Sequence, residues 1–322
     1  MGEHMSNSLV RNGGGDGVRL EVTPETADWR FLSFAVVHLQ AGASHSDQRA
    51  DQETAIVPLS GSGVVTAGGQ TFEIGRTSVF EQMPEIVYVT PGDEISIASG
   101  DDGFEFAIGS APAEGKYPTR LIVPTEMKSE VRGGGASHRQ VNHVLAPPVD
   151  AERLILYEVY VPRGMWSGWA PHRHDGVDGS PYLEETYFFR MDPGNGFAMH
   201  RNWAPEDGFD ETVVLHDGDT ALVPKGFHSS VSCPSSNLFF LNYLAGELVD
   251  KERSTPPCFD DGHTWIHDAW ENNDEGAWVQ PVMQTPNLGN PGGLPLDAVE
   301  AAGGDIGDDP YAVSGVKPGS ED

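Results

Sequence analysis

Four residues in the second half of the chain have the types and the spacing of a metal site. His172 and His174 flank Arg173, Glu185 stands before an aromatic run, and His228 ends the stretch Pro-Lys-Gly-Phe-His. One such histidine alone is more often an ordinary hydrogen-bonded side chain than a ligand. Three imidazoles and one carboxylate together can bind one divalent ion and leave positions open for a substrate. We therefore predict a single metal ion bound by His172, His174, Glu185 and His228.

The period of a β-strand indicates how the first two ligands can meet. Successive side chains point to opposite faces, so His172 and His174 share one face and Arg173 takes the other. Residues 175–181, rich in Gly, Asp and Ser, predict the loop to the next strand. Both imidazoles can therefore reach the same ion.

The other two ligands depend on the strand and the turn that follow. Of two adjacent carboxylates only one can face inward, and we expect it to be Glu185, which shares a face with Tyr187. Glu184 is then a solvent-facing or capping carboxylate. Residues 224–226, Pro-Lys-Gly, predict a sharp turn that presents His228 at the start of a strand.

Two similar halves, each rich in short β-like segments, supply these elements. Turns rich in Gly, Pro and Asp separate the segments, which is typical of an antiparallel barrel or sandwich. In the first half the predicted strands are 31–39, 54–59, 63–67, 78–80, 86–89, 94–98 and 104–109. In the second half they are 153–161, 185–190, 197–202, 211–215, 220–223 and 238–244. The fold class is therefore predicted as all-β, with two stacked barrels and few helices.

These patterns divide the chain into five predicted segments. They are a flexible N-terminus (1–19), an N-terminal barrel without metal (20–113), a crossover with a strand or two (114–150), a metal-binding C-terminal barrel (151–270) and an acidic, Gly/Pro-rich tail (271–322). The N-terminal barrel offers only His45 where first ligands would lie, so we interpret it as structural and oligomerising. His263 and His267, which lie beside tryptophans, are interpreted as packing residues.

The charge of the chain argues against several classes of partner. Forty-nine acidic residues against 19 basic ones give a formal charge of −30. Such a surface repels nucleic acid and anionic membranes. Because the acidic residues are spread along the chain, they favour a surface suited to a salt-rich cytoplasm over a single acidic interaction tail. We expect a halophilic origin.

Cysteine content and hydropathy predict a soluble cytoplasmic protein. The two cysteines, Cys233 and Cys258, cannot form a disulfide framework, which fits a reducing compartment. No stretch approaches the roughly 18 apolar residues that span a membrane. The first residues also lack the basic-then-apolar profile of a signal peptide.

Longer stretches around the ligands resemble a known family. Gly168-x3-His-x-His, then Glu185, then Gly218-x5-Pro-x-Gly-x-His is the two-part signature of the cupins. Residues 166–175, 183–190, 218–228 and 241–246 closely resemble the 5-deoxy-glucuronate isomerase family of inositol catabolism. The resemblance runs from about residue 20 to residue 270. Looser landmarks in the first half are residues 75–80, 110–112 and 132–135, with Arg139.

The resemblance implies a bicupin, two double-stranded β-helix (jelly-roll) barrels, with one metal site. It implies an aldose-ketose isomerase that converts 5-deoxy-D-glucuronate to 5-dehydro-2-deoxy-D-gluconate, with Asn242 as a polar wall of the substrate site. Two positions depart from the family pattern. His200-Arg201 stands where the family usually has Gln-Arg, and Tyr243 stands where it has a small apolar residue.

The predicted ligands suit this chemistry. Moving a carbonyl requires removal of a proton from the adjacent carbon, and a divalent metal stabilises the resulting enediolate as a Lewis acid. The group that shuttles the proton stays open between Tyr187, Glu185 acting off the metal, and a hydroxide on the metal. For the substrate carboxylate we predict Arg201, with a structural salt bridge as its alternative role.

The ligand set leaves the metal and the reaction open. Zn, Mn, Fe and Ni ions are all compatible with it. An Fe(II) cupin dioxygenase would use the same four residues, and a related uronate ketol-isomerase or a non-catalytic sugar-acid binding cupin are further alternatives. The favoured partner is a small-molecule sugar acid, and we expect a homo-oligomer.

Overall fold

The computed structural model describes residues 8–271, and β-strands dominate them. The first nine strands are β1 (Leu9–Val10), β2 (Gly17–Val22), β3 (Ser33–Leu39), β4 (Ser44–Gln48), β5 (Gln52–Ala67), β6 (Gln70–Arg76), β7 (Ile86–Val89), β8 (Glu94–Pro112) and β9 (Arg120–Ile122). The next eleven are β10 (Lys128–Arg132), β11 (Arg139–His143), β12 (Ile155–Val161), β13 (Trp166–Arg173), β14 (Leu183–Asp192), β15 (Ala198–Ala204), β16 (Phe209–Leu215), β17 (Thr220–Val223), β18 (Phe227–Ser232), β19 (Asn237–Gly246) and β20 (Cys258–Phe259). The all-β prediction is confirmed.

Helices are few and short among the described residues. The α-helices are α1 (Pro24–Ala27) and α2 (Trp265–Glu271), and short 3-10 turns lie at Pro124–Glu126, Gly135–Ser137, Pro205–Asp207 and Glu252–Ser254. None of the helices in this part of the chain has the length and apolar character needed to cross a membrane.

Two long strands, β5 and β8, form the centre of the N-terminal barrel. Its sheet has the order β2-β3-β8-β5-β7-β9, with β4 on β8 and β6 on β5. The pairing of β5 with β8 shifts register after Pro58 and after Gly61, and such irregularities bend strands. A Cβ at Gly61, whose φ is +76°, would lie 2.2 Å from the carbonyl oxygen of Gly103, so the bend requires glycine.

The C-terminal barrel is built from two sheets. One has the order β1-β17-β14-β19-β12-β11-β10, and the other has the order β16-β15-β18-β13-β20. Apolar side chains such as Val159, Phe189, Leu215 and Phe240 form a buried cluster in this half. The strands that carry the predicted ligands belong to both sheets, since β14 lies in the first and β13 and β18 lie in the second.

The two barrels also share a buried core between them. It includes Phe34 from the first half and Tyr243 from the second, whose ring centroids are 5.1 Å apart. A Cβ at Gly109 would lie 2.4 Å from the Tyr243 ring, so glycine makes room for this tyrosine. Arg76 and Glu158 form a fully buried ion pair with a 2.5 Å contact. Residues 8–265 accordingly belong to one compact unit.

The N-terminal segment corrects one prediction. Residues 1–19 are predicted to be flexible, and residues 1–7 lie outside the described part, but within residues 8–19 strand β1 pairs with β17 at the edge of the seven-stranded sheet. Arg11 forms an ion pair with Asp219, and the backbone N–H of Asn12 donates to the same carboxylate at 3.2 Å. This pairing joins residues far apart in sequence, which local patterns do not reveal.

The crossover segment is divided between the barrels. Of its strands, β9 pairs with β7 of the N-terminal barrel, while β10 and β11 extend the seven-stranded sheet of the C-terminal barrel. It therefore carries three strands where one or two are predicted. The predicted acidic tail, apart from Glu271, lies outside the described residues.

Candidate metal centre

Three histidines, on β13, just after β13 and on β18, meet at one point of the C-terminal barrel. His172 and His228 are direct cross-strand partners, with ring centroids 4.4 Å apart. His174, which follows β13, has its ring centroid 5.0 Å from that of His228. One nitrogen of each ring lies within 4.8 Å of the others. Donors about 2.1 Å from a common ion lie roughly 3 to 4 Å apart, so small ring movements suffice to bind one.

Glu185 completes the cluster from the opposite sheet. Its Oε2 lies 2.8 Å from His174 Nε2 and 3.4 Å from His228 Nε2. Its other oxygen, Oε1, accepts a hydrogen bond of 2.7 Å from the side-chain amide of Asn242. Asn242 thus touches the carboxylate directly, as groups that orient metal ligands do.

Hydrogen bonding in the cluster fits a bound cation. The Nδ1 of His174 lies 2.9 Å from the carbonyl oxygen of Leu183, so it carries a proton and directs Nε2 toward Glu185. The Nε2 of His228 is buried and has no hydrogen-bond partner among the described residues. A buried polar nitrogen without a partner is unfavourable by about 1 to 3 kcal/mol, and a divalent ion bound there would remove that penalty. The donor set of three imidazoles and one carboxylate therefore fits the predicted metal.

Burial keeps two of the imidazoles neutral. Burial, followed by the charges of His174 and Arg139, lowers the pKa of His172 to about 3. Burial also holds the pKa of His228 well below its usual range. For His174, burial acts in the same direction, but the hydrogen bond and charge of Glu185 outweigh it and raise the pKa. Neutral imidazoles have the free lone pair that metal binding requires.

A cavity of about 500 Å³ lies beside the cluster. One row of side chains on the seven-stranded sheet lines it, and neighbours in the row are paired across the strands. The row consists of Tyr187, Asn242, Tyr157, His143 and Lys128. The volume lies in the range of small-molecule sites, and the polar row offers partners for a hydroxylated ligand.

Tyr187 lies at the metal end of this row. Burial, followed by the charge of Glu185 and a hydrogen bond to it, raises the pKa of Tyr187 well above its usual range. Its hydroxyl therefore stays protonated and can donate a hydrogen bond into the cavity.

The structure does not bring Arg201 to the cavity. Its guanidinium makes two hydrogen bonds, of 2.8 and 2.7 Å, to Asp210 and packs over the ring of Trp203 on the outer face of β15. Strand alternation places His200 and Asn202 on the inner face instead. The predicted substrate contact at Arg201 is corrected to its alternative, a surface salt bridge.

His200, at the first of the departures from the family pattern, lies behind the cluster. Its ring is fully buried, with its centroid 6.0 Å from that of His228. Its Nδ1 lies 2.8 Å from the Ser230 hydroxyl and its Nε2 lies 3.1 Å from the Asn202 carbonyl oxygen. Both nitrogens are occupied, so His200 supports the ring of His228 without joining the donor set.

Two arginines of the crossover line the cavity, and sequence reasoning gave them no role. They are Arg132 on β10 and Arg139 on β11, which pair across the strands. The available signal was the clustering of basic residues in a short segment of an acid-rich chain. Without the strand pairing, nothing indicated which site they would face.

Three further residues named in the sequence analysis have structural contacts away from the metal ligands. Glu184 is buried and accepts backbone hydrogen bonds of 2.6 to 2.9 Å from residues 30–32, so it holds the loop before β3 and neither faces solvent nor caps a helix. His45, on β4, packs edge-on against Phe106 in the N-terminal barrel. His263 packs edge-on against Trp169.

Comparisons with known proteins give a family match and named relatives for this chain. The sequence model of the KduI/IolB family matches residues 7–266. A 5-deoxy-glucuronate isomerase of Geobacillus kaustophilus is 34% identical over 255 residues, which cover 78% of this chain and 91% of the relative. One of Bacillus subtilis is 34% identical over 260 residues, covering 78% and 94%.

Solved structures show the same fold. An IolB-like protein from Salmonella typhimurium superposes with a TM-score of 0.76 at 32% identity, covering 81% of this chain and 100% of that one. A Bacillus subtilis oxalate decarboxylase superposes with a TM-score of 0.57 at 15% identity, covering 85% and 84%. The second likeness concerns the fold alone.

Proposed function

Because this chain belongs to the KduI/IolB family, we propose that it is a metal-dependent aldose-ketose isomerase that converts 5-deoxy-D-glucuronate to 5-dehydro-2-deoxy-D-gluconate in inositol catabolism. Relatives that carry the name 5-deoxy-glucuronate isomerase align over most of their length. The observation that carries the proposal is the meeting of His172, His174, His228 and Glu185 beside a cavity of about 500 Å³.

The proposed chemistry is a proton shift between neighbouring carbons. A proton leaves the carbon that bears the hydroxyl and is delivered to the aldehyde carbon, while the hydroxyl proton moves to the aldehyde oxygen. When bound by the three histidines and Glu185, a divalent ion supplies Lewis-acid stabilisation of the negative charge that develops on the substrate oxygens. The remaining tasks fall to side chains of the cavity.

Tyr187 and Glu185 are the proposed proton-handling residues. The Tyr187 hydroxyl, protonated because burial raises its pKa, turns its single proton from Glu185 to a substrate oxygen as negative charge develops there. Among the described residues, Glu185 is the only carboxylate that lines the cavity, so, acting off the metal, it is the protein group suited to accept the carbon-bound proton. Asn242 holds the other oxygen of this carboxylate in place.

Proton NMR tests the reaction directly. We expect protein loaded with Zn, Mn, Fe or Ni to convert 5-deoxy-D-glucuronate to its keto isomer without oxygen uptake, with metal-stripped protein as the control. Oxygen uptake with phenolic or thiol substrates and no isomerisation would favour the dioxygenase alternative. Binding of the sugar acid without conversion under any metal would favour a binding protein.

The same reasoning extends to the assembly and the compartment. We propose a cytoplasmic homo-oligomer. A row of partly exposed apolar side chains crosses four strands of the five-stranded sheet, and its members are Val214, Met199, Val231 and Trp166. A second copy of the chain is the occupant that a symmetric enzyme would place there. Light scattering of the eluted protein tests this, and a monomer mass at micromolar concentration would contradict it.

A further inference from the structure

We propose that Arg139, on β11, binds the carboxylate of the substrate and makes the site select sugar acids over neutral sugars. This inference rests on the proposed function for its choice of a uronate. It replaces Arg201, which the structure places on the outer surface.

Arg139 is a cavity-lining cation without a carboxylate partner among the described residues. Its single hydrogen bond from the guanidinium, from Nη1, goes to the carbonyl oxygen of Ser137 at 3.2 Å. The other two cations that line the cavity share one acid, since Glu130 contacts Lys128 at 2.6 Å and Arg132 at 2.5 Å. Of the three lysine and arginine side chains that line the cavity, Arg139 is thus the one without an acid beside it among the described residues.

The hairpin between β10 and β11 holds this arginine in place. Gly133 has a φ of +77°, and a Cβ there would lie 2.2 Å from the carbonyl oxygen of Ser137 and 3.0 Å from Arg139 Nη1. The Ser137 hydroxyl reaches the backbone of Trp166 on β13, the strand that also carries His172. The guanidinium and the metal ligands are thus supported by neighbouring parts of one barrel.

Arg139 lies beside a second cation, because it pairs across the strands with Arg132, which also lines the cavity. Burial, followed by the charge of Arg132, lowers the pKa of Arg139 itself to about 10. An anion bound beside the guanidinium would offset the repulsion between the two arginines.

A guanidinium suits this task by its shape. Its planar fork makes two parallel hydrogen bonds to a carboxylate. With the aldehyde end of the substrate at the metal ligands and the acid end at Arg139, the cavity would fix both ends of the chain. A neutral sugar of the same length would leave the guanidinium without its partner. The local positive charge also offsets the repulsion that a protein of charge −30 exerts on an anion.

Matched variants test the proposal. Arg139→Gln removes the charge, Arg139→Lys keeps the charge without the fork, and Arg163→Gln removes an exposed arginine outside the cavity as the control. For 5-deoxy-D-glucuronate we expect Arg139→Gln to lower kcat/KM about 10- to 100-fold, mainly through KM, because the contact exists before and during the reaction. Arg139→Lys should fall between Arg139→Gln and the wild type, and Arg163→Gln should match the wild type.

A binding measurement separates this proposal from the proposed reaction. Calorimetry with D-gluconate and its neutral counterpart D-glucitol needs no turnover. We expect the wild type and Arg163→Gln to prefer gluconate, and Arg139→Gln to lose that preference while its metal content and melting temperature stay unchanged. Should Arg139→Gln not fold, a loss of the preference in Arg139→Lys serves as the supporting result.

Equal affinities of the wild type for both ligands, or an undiminished preference in both Arg139 variants, would overturn the role of Arg139. Failure of the wild type to isomerise the uronate would count against the proposed function alone.

Discussion

The two barrels share one kind of strand arrangement but differ in the side chains that they bury. The buried cluster within the N-terminal sheet consists of apolar residues such as Ile56, Ile97 and Phe106. The C-terminal barrel buries His174, Glu185 and several other polar groups beside a cavity. Buried polar groups are tolerated where they partner one another or an ion. The comparison teaches that the chemistry of this molecule comes from a few inward-facing positions and not from the fold itself.

We expect the largest effect from the loss of a metal ligand. His228→Ala should abolish metal binding and lower kcat about 100- to 1000-fold, because Lewis-acid stabilisation by a metal contributes several kcal/mol. Metal content by mass spectrometry and activity by NMR check it. His45→Ala, in the N-terminal barrel, is the matched control and should keep the metal. If His45→Ala loses metal as well, the proposed division of labour between the barrels is wrong.

The next effect concerns the proton-handling hydroxyl. Tyr187→Phe should lower kcat about 100-fold with unchanged metal content, because the variant loses the donor near the reacting oxygens. Tyr157→Phe, in the same cross-strand row, should lower kcat by less than about tenfold, as expected for the loss of a neutral hydrogen bond. Steady-state kinetics of both variants distinguish the two tyrosines. Equal losses would show that the row acts only as a binding surface.

The shared core between the barrels can be broken by one methyl group. Gly109→Ala places a Cβ 2.4 Å from the Tyr243 ring, and such overpacking costs about 1 to 3 kcal/mol. We expect the melting temperature to fall by several degrees. Gly194→Ala, where a Cβ would meet its nearest atom at 3.8 Å, should leave it nearly unchanged. Partial recovery in Gly109→Ala with Tyr243→Leu would assign the loss to this contact.

Salt should stabilise both barrels. At a formal charge of −30, surface repulsion opposes folding, and about 1 M salt shortens the screening length to roughly 3 Å. We expect the melting temperature to rise by several degrees between low and molar KCl, in line with the predicted halophilic origin. A flat or falling curve would contradict that origin.

The smallest expected effect separates the surface from the site. Arg201→Gln removes an exposed ion pair with Asp210, whose side chains are 48% and 55% accessible. Exposed pairs of this kind contribute little to stability. We expect kcat/KM to change by less than about twofold. A loss as large as that expected for Arg139→Gln would restore the original assignment.

Sequence patterns predicted the strands and the facing of their side chains well where the pattern lies within one strand. The predicted strands 86–89 and 220–223 coincide with β7 and β17. Alternation placed His172, His174 and Glu185 on faces that meet. In two places the structure has one bent strand where two strands are predicted. β5 covers the predicted strands 54–59 and 63–67, and β8 covers 94–98 and 104–109. A glycine or proline interrupts the sequence pattern there without ending the strand pairing. The predicted strand 78–80 lies in a turn.

The remaining features depend on contacts between distant residues. Alternation along β15 predicts that either Arg201 or its two neighbours face inward, but it does not say which. The packing of β15 in the barrel decides this. Arg139 reaches the cavity because β11 pairs with β12, one strand in from the β10 edge of the seven-stranded sheet. Tyr243, a departure from the family pattern, does not line the cavity but packs against the N-terminal barrel, where Gly109 makes room for it.

The pairing of β1 with β17 has a consequence for synthesis on the ribosome. Leu9 emerges first, but its partner Ala221 emerges about 200 residues later. The opening strand must therefore stay without this partner until β17 has been translated, which is after the whole N-terminal barrel and after β10 to β16. Its docking beside β17, the neighbour of the strand that carries Glu185, would then follow the synthesis of the N-terminal barrel.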